Sequence, residues 1–340
     1  MTQGAIDPTP PESLRSRLLP ALLIGVLAAL WSRQHALANP AFTSDFDQVW
    51  AAAAALLRGD NPYAEVGPNA PFTWRWPLYY PMPAILVAAP LGALPVIAAR
   101  AIFSGLGAAL FTFAISRDGW ARWPILLSVT FLVSIDLVQW SPYLAAAFFL
   151  PAAALLVPCK PNFALPVAAC ARDARTWGFL LLGGVVLGVA SFAARPTWVA
   201  EWLGNVREAP HFIPPVMRRG GPLLLLAVLR WRRPEARWFL GLCVMPMAPS
   251  FYDQLLLVAV CTRWWESAIL ALSTYVLYFY VGAHSPQPDY AAWGRLVGDA
   301  TVWFCYLPML AVLLRRPNEG RVPNPRSLIG RWSSTPERAT

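Results

Sequence analysis

Residues 18–37 read Leu-Leu-Pro-Ala-Leu-Leu-Ile-Gly-Val-Leu-Ala-Ala-Leu-Trp-Ser-Arg-Gln-His-Ala-Leu. A helix needs about 20 predominantly apolar residues to cross the hydrocarbon of a bilayer, and this run reaches that length. Arg15 and Arg17 precede it, and no small-residue cleavage site follows. The run therefore reads as a retained anchor rather than a cleaved leader. Further apolar runs follow at 79–95, 98–116, 122–138, 142–158, 161–171, 177–194, 221–231, 236–249, 251–263, 266–283 and 296–315. Several are too short to cross alone and fit half-helices or re-entrant segments, which lipid tolerates only where protein buries them. The expected fold is all-α, a polytopic membrane bundle of about 10–12 segments.

Composition agrees. The 340 residues are 57% hydrophobic and 13% charged, against roughly 25% charged in soluble domains. Disorder requires the reverse balance. A transmembrane β-barrel would alternate polar and apolar residues, whereas Leu223 to Leu229 is unbroken apolar sequence.

The net charge of +9 is read as topology. Arg and Lys gather in cytoplasmic loops, which argues against a nucleic-acid partner. Arg172, Arg175, Arg230, Arg232, Arg233 and Arg237 mark such loops, and Arg315, Arg316, Arg321, Arg326, Arg331 and Arg338 mark the tail. The expected organisation is a cytoplasmic segment 1–17, a membrane domain 18–315 and a disordered cytoplasmic tail 316–340. Segments 38–78, 195–220 and 284–294 then face outside. The 34 prolines, many inside apolar runs, break or kink helices. The five cysteines show no Cys-x-x-Cys spacing and His35, His211 and His284 are scattered, so no metal site is expected.

The first external loop carries the most chemistry. Thr43-Ser44-Asp45-Phe46-Asp47-Gln48-Val49-Trp50 leads into alanines, then Leu56-Leu57-Arg58-Gly59-Asp60-Asn61-Pro62-Tyr63. Val49, Trp50, Ala53, Leu56 and Leu57 share a face at helical spacing. The expected element is a short amphipathic helix in the membrane interface, anchored by Trp50 and closed by Gly59. Asp45 and Asp47 have two readings. As a helix start, Ser44 with Asp47 fits a capping box; as chemistry, one carboxylate serves as a general base.

Asp45-Phe46, the Ala-rich helix, Gly59-Asp60-Asn61-Pro62-Tyr63 and Tyr80-Pro81-Met82-Pro83 together resemble glycosyltransferase family 87, within the GT-C class of polytopic membrane transferases. Gln139-Trp140-Ser141-Pro142 and Lys160-Pro161 extend the likeness, which is clearest over residues 40–170. Val138-Gln139 stands where the family has Gly-Gln, and Met82 interrupts its tandem prolines. The resemblance implies a GT-C-like bundle in a bacterial plasma membrane, with both termini cytoplasmic. It implies transfer of a sugar, mannose in that family, from a polyprenyl-phosphate donor to a glycan or glycolipid acceptor, without a cofactor. By matching position, Asp45 is the base, with Asp47 second. Lys160, the one lysine in the chain, is assigned to phosphate because an intramembrane cation is functional by default. Arg75, Arg195, Tyr63, Tyr80 and Gln139 complete the expected substrate contacts. Broken helices and buried charges also suit a transporter or flippase for a lipid-linked or anionic solute, and an inactive scaffold is the third reading.

Overall fold

The computed structural model describes residues 13–171, 173–208, 212–248 and 250–320. The expected tail beyond 320, most of the N-terminal segment, Arg172 and His211 lie outside the described residues. The fold is 74% helix. Among the described residues, strand is confined to a two-residue parallel ladder pairing Val66–Gly67 with Phe72–Thr73.

Among the described residues, five helices are long and apolar enough to cross a membrane: Leu14–Ala38, Val96–Asp118, Ala174–Ala194, Trp264–Ala283 and Tyr290–Leu314. The protein is a helical membrane protein. The other apolar runs fold as shorter pieces, including Met82–Gly92, Pro151–Cys159, Gly221–Arg230 and Asp253–Val260. The last three are tight 3₁₀ runs, longer than the three or four residues at which such helices usually stop. Gly221–Arg230 shows why this one is possible. Its buried residues are Gly221, Leu224 and Ala227, a spacing of three that stacks on one edge of a three-residue turn. Leu223, Leu225, Leu226, Val228 and Leu229 remain exposed, as a lipid-facing surface requires. Asp253–Val260 is buried along its whole length. Protein therefore covers the Asp253–Val260 run throughout, as irregular backbone in an apolar setting requires, but only one edge of Gly221–Arg230.

Leu14–Ala38 and Val96–Ile115 pack through small residues. A Cβ on Gly25 would lie 2.8 Å from the Gly105 carbonyl oxygen, and one on Gly105 would lie 3.0 Å from Ala29 Cβ. Lipid tails offer no hydrophobic drive for helix pairing, so close backbone approach at small residues supplies the dispersion contact. Tyr290–Leu314 carries a π-turn at Val302–Tyr306. Pro308 is the cause: it has no N–H, and its ring would strike the Phe304 carbonyl in a regular helix.

The expected first-loop helix forms at Asp45–Arg58, ending on Gly59 in the left-handed region at φ 82°. Its setting differs from the interfacial expectation. Phe46, Val49, Ala52 and Ala53 are buried in protein, while Leu57 is exposed. Alanines permit this: a Cβ on Gly92 would stand 2.7 Å from the Ala54 nitrogen. The helix therefore lies on Met82–Gly92, and Trp50 Nε1 donates to the Leu94 carbonyl at 2.9 Å rather than meeting a headgroup. Asn61-Pro62 caps a further short helix, Pro62–Glu65, in place of a simple turn.

Both ends of the described chain lie at one end of the molecule. Arg17 donates to the Phe113 carbonyl, Arg122 to the Cys261 carbonyl, and Arg316 to Glu266. Segment 43–81, Trp202, Val206, Phe212 and Tyr290 meet at a cavity on the other side of the fold.

Candidate active site

The cavity holds about 980 Å³ and is walled by four stretches of chain. The start of the Asp45–Arg58 helix contributes Asp45 and Gln48. The loop after the β-ladder contributes Trp74 to Pro81. Cys159 to Asn162 form the third stretch, and Pro246, Ala248, Ser250, Tyr252 and Asp253 the fourth. The helix Trp198–Arg207 forms a further wall: Trp202 Nε1 donates to the Tyr79 carbonyl at 2.9 Å and Asn205 to the Leu78 carbonyl at 3.2 Å.

Tertiary structure divides the two aspartates. Asp47 is buried. Its Oδ2 accepts from the Ser44 backbone N–H at 2.8 Å and its Oδ1 from the Ser44 hydroxyl at 2.8 Å. Arg100 closes on both of its oxygens, with Nε 2.7 Å from Oδ1. Asp47 does not line the cavity. It caps the helix and binds it to Val96–Ile115, and Phe46 stacked on Phe103 at 4.4 Å adds a second tie.

Asp45 points the other way, into the cavity. Its Oδ2 accepts from Gln139 Nε2 at 2.5 Å. Burial pushes the carboxyl up to about 6; Lys160 and the Gln139 bond pull it down, while Asp47 and Asp253 push it up. Gln139 reaches Asp45 because Val138 turns the chain in the left-handed region at φ 52°. A β-branched residue there costs about 1–2 kcal/mol, and full burial of the Val138 side chain offsets it. A carboxylate that accepts a hydrogen bond is stabilised in its charged form. Gln139→Leu is therefore expected to raise the Asp45 pKa above that of the wild type. The acid limb of any Asp45-dependent rate should move to higher pH, read from a pH–rate profile; an unmoved limb would remove Gln139 from this role.

Lys160 stands between two short 3₁₀ helices, Pro151–Cys159 and Pro161–Phe163. Its ammonium lies 3.4 Å from Asp253 Oδ1, which also accepts from Ser141 Oγ at 3.0 Å. It is 5.2 Å from the centre of the Phe163 ring and 5.3 Å from that of Tyr252. The cation is thus committed to an acid of this chain, Asp253, and offsets part of the negative charge of the Asp45–Asp253 corner. The pairing of Asp253 with Lys160 crosses 93 residues, beyond the reach of any local sequence pattern.

The remaining expected residues separate. Tyr80 lines the cavity, and burial, then Asp45 and Asp253, hold its hydroxyl protonated far above the usual range. Arg75 lines it too. Arg195 does not: it forms a two-pronged pair with Glu201, both contacts at 2.6 Å. Tyr63 is buried in the Pro62–Glu65 helix, away from the cavity. Asp136 joins helices rather than lining the cavity, accepting from Trp31 Nε1 at 2.6 Å. Among the described residues no group of three or more His, Cys, Asp or Glu side chains could hold a metal ion. Arg100 was missed as a functional partner, although a lone charge inside the apolar run 98–116 signals a buried pair.

Comparison with protein-family models, curated proteins and solved structures finds no match to this chain.

Proposed function

We propose that the chain is a membrane glycosyltransferase that moves a sugar from a polyprenyl-phosphate donor to an acceptor hydroxyl, mannose being the sugar by resemblance to family 87. One observation carries the reading: Asp45, the acid matched to that family's base, opens onto the cavity with Gln139 on one oxygen. In this reading the acceptor oxygen attacks the anomeric carbon while Asp45 takes its proton. The bond from that carbon to the phosphate oxygen breaks, and its electron pair leaves with the phosphate. Gln48 lines the cavity and its Oε1 is a buried acceptor without a hydrogen bond, suited to a substrate hydroxyl. Trp74, Trp76 and Trp202 supply flat apolar walls. Tyr80 stays protonated and is a hydrogen-bond donor. The Arg-rich end that gathers Arg17, Arg122, Arg230 and Arg316 is taken as cytoplasmic, which turns the cavity outward.

The test offers membranes containing the chain a radiolabelled polyprenyl-phosphate sugar and follows label into glycolipid. Transfer above empty membranes is expected; none with mannosyl, glucosyl or arabinosyl donors would sink the reading. Protein-buried, broken helices favour a carrier as the second reading, and movement of the intact labelled donor across vesicles without transfer would select it.

The carboxyl at about 6 sets a pH dependence. Only the ionised form accepts a proton, so kcat/KM is expected to be level above about pH 7 and to fall about tenfold per pH unit well below pH 6. A flat profile between pH 4.5 and 7.5 would exclude Asp45 as the base.

A further inference from the structure

The charges of the cavity are unevenly committed. Lys160, the cation nearest the acids, is paired with Asp253 at 3.4 Å. Outside the cavity lining, Arg195 is held by Glu201, Arg58 by Asp60 and Glu65, and Arg100 by Asp47. Arg218 donates to the Gly294 carbonyl. Arg75 is the exception. It is exposed, lines the cavity, and has no hydrogen bond or ion pair among the described residues. It stands over two rings instead, 5.0 Å from the centre of Trp76 and 4.9 Å from that of Tyr290. The rings also meet each other, with centres 5.7 Å apart.

Cation–π contact of this kind attracts the guanidinium to the ring faces without occupying its N–H groups. Its five N–H groups lie around the edge and stay available, in a fork that matches two oxygens of one phosphate. A compact ammonium already shared with a carboxylate offers neither the fork nor the net charge. A phosphate drawn to Lys160 would also crowd the carboxylates of Asp45 and Asp253, which repel it. Among the described residues the cavity thus holds two acids that share Lys160 as counter-ion, and one cation, Arg75, that no acid takes.

We propose that Arg75, oriented by Trp76 and Tyr290, is the phosphate-binding residue of this cavity, and that the phosphate it takes is that of the polyprenyl donor. The second half rests on the transferase reading; the first does not. In that setting Arg75 holds the group that leaves with the electron pair, while Lys160 keeps its place between the acids.

The test uses the full chain in nanodiscs of zwitterionic lipid and measures binding of fluorescent polyprenyl phosphate, with polyprenol as the uncharged control and inorganic phosphate as competitor. The wild type is expected to bind the phosphate at least about tenfold more tightly than polyprenol, since hydrogen bonds to charged groups carry that much. Arg75→Ala should lose most of this difference with unchanged melting, and Arg75→Lys should recover part of it. Displacement by inorganic phosphate would assign recognition to the headgroup alone, and displacement only by polyprenyl phosphate would assign it to headgroup and chain together; both support the site. Equal binding by wild type and Arg75→Ala, or by polyprenol and its phosphate, would overturn it. Arg75-dependent binding without sugar transfer from any donor would keep the anion site and remove the transferase reading. Transfer by Arg75→Ala with an unchanged donor KM would do the opposite.

Discussion

Asp45→Asn is expected to lower sugar transfer by about 10²–10⁴-fold, the usual contribution of a positioned general base. The amide keeps the shape of the carboxyl and its hydrogen-bonding capacity toward Gln139, so the cavity wall is preserved. It cannot accept the acceptor proton, and the loss should therefore fall on kcat rather than on donor binding. Burial holds the wild-type carboxyl at about 6, so replacing it by a neutral group also removes a charge that the fold disfavours. Melting temperature is accordingly expected to stay level or rise. Transfer and thermal unfolding measured on the same preparation separate the two effects. Equal transfer by wild type and variant would remove Asp45 from the chemistry.

The largest expected effect on stability lies one turn away. Arg100→Met leaves the Asp47 carboxylate buried without its cation, and breaking one side of a buried pair costs about 3–5 kcal/mol. Ser44 still donates twice to Asp47, which moderates the loss without neutralising the charge. Arg100 also donates to the Phe42 carbonyl at 3.1 Å, so the loop before the helix loosens with it. The double variant Asp47→Asn/Arg100→Met removes the stranded charge and should melt above the single variant. Unfolding followed by size-exclusion fluorescence would read this order, and a double variant no better than Arg100→Met would contradict the ion-pair account. Transfer should fall in the single variant as well, because the pair fixes the helix whose first residue is Asp45.

The membrane character and the first-loop helix were legible in sequence because their signals are local. The run at 18–37 has the length of a bilayer crossing, and Gly59 ends its helix by a φ that glycine adopts freely. The segment count was not legible. Proline-interrupted runs such as 142–158 look like crossings by hydropathy, but the chain there forms Ser141–Ala146 and the tight run Pro151–Cys159. Whether such a run crosses depends on what covers its backbone, which composition does not record.

The candidate site divides in the same way. Sequence alone determined an apolar, helical chain with few charges, and its motifs and resemblance singled out Asp45, Asp47, Lys160, Arg75 and Arg195 among those charges. Helical position did not rank the two aspartates, since both stand in the first turn of one helix and both fit a cap; only the family resemblance put Asp45 first. Only the tertiary structure decided that Arg100 turns Asp47 into a structural anchor, and that Gln139 meets Asp45 at the cavity. It likewise committed Lys160 to Asp253 and left Arg75 on its rings. The physical reason is that a charge in a low-dielectric interior is defined by its partner, and each of these partners is brought from a distant part of the chain.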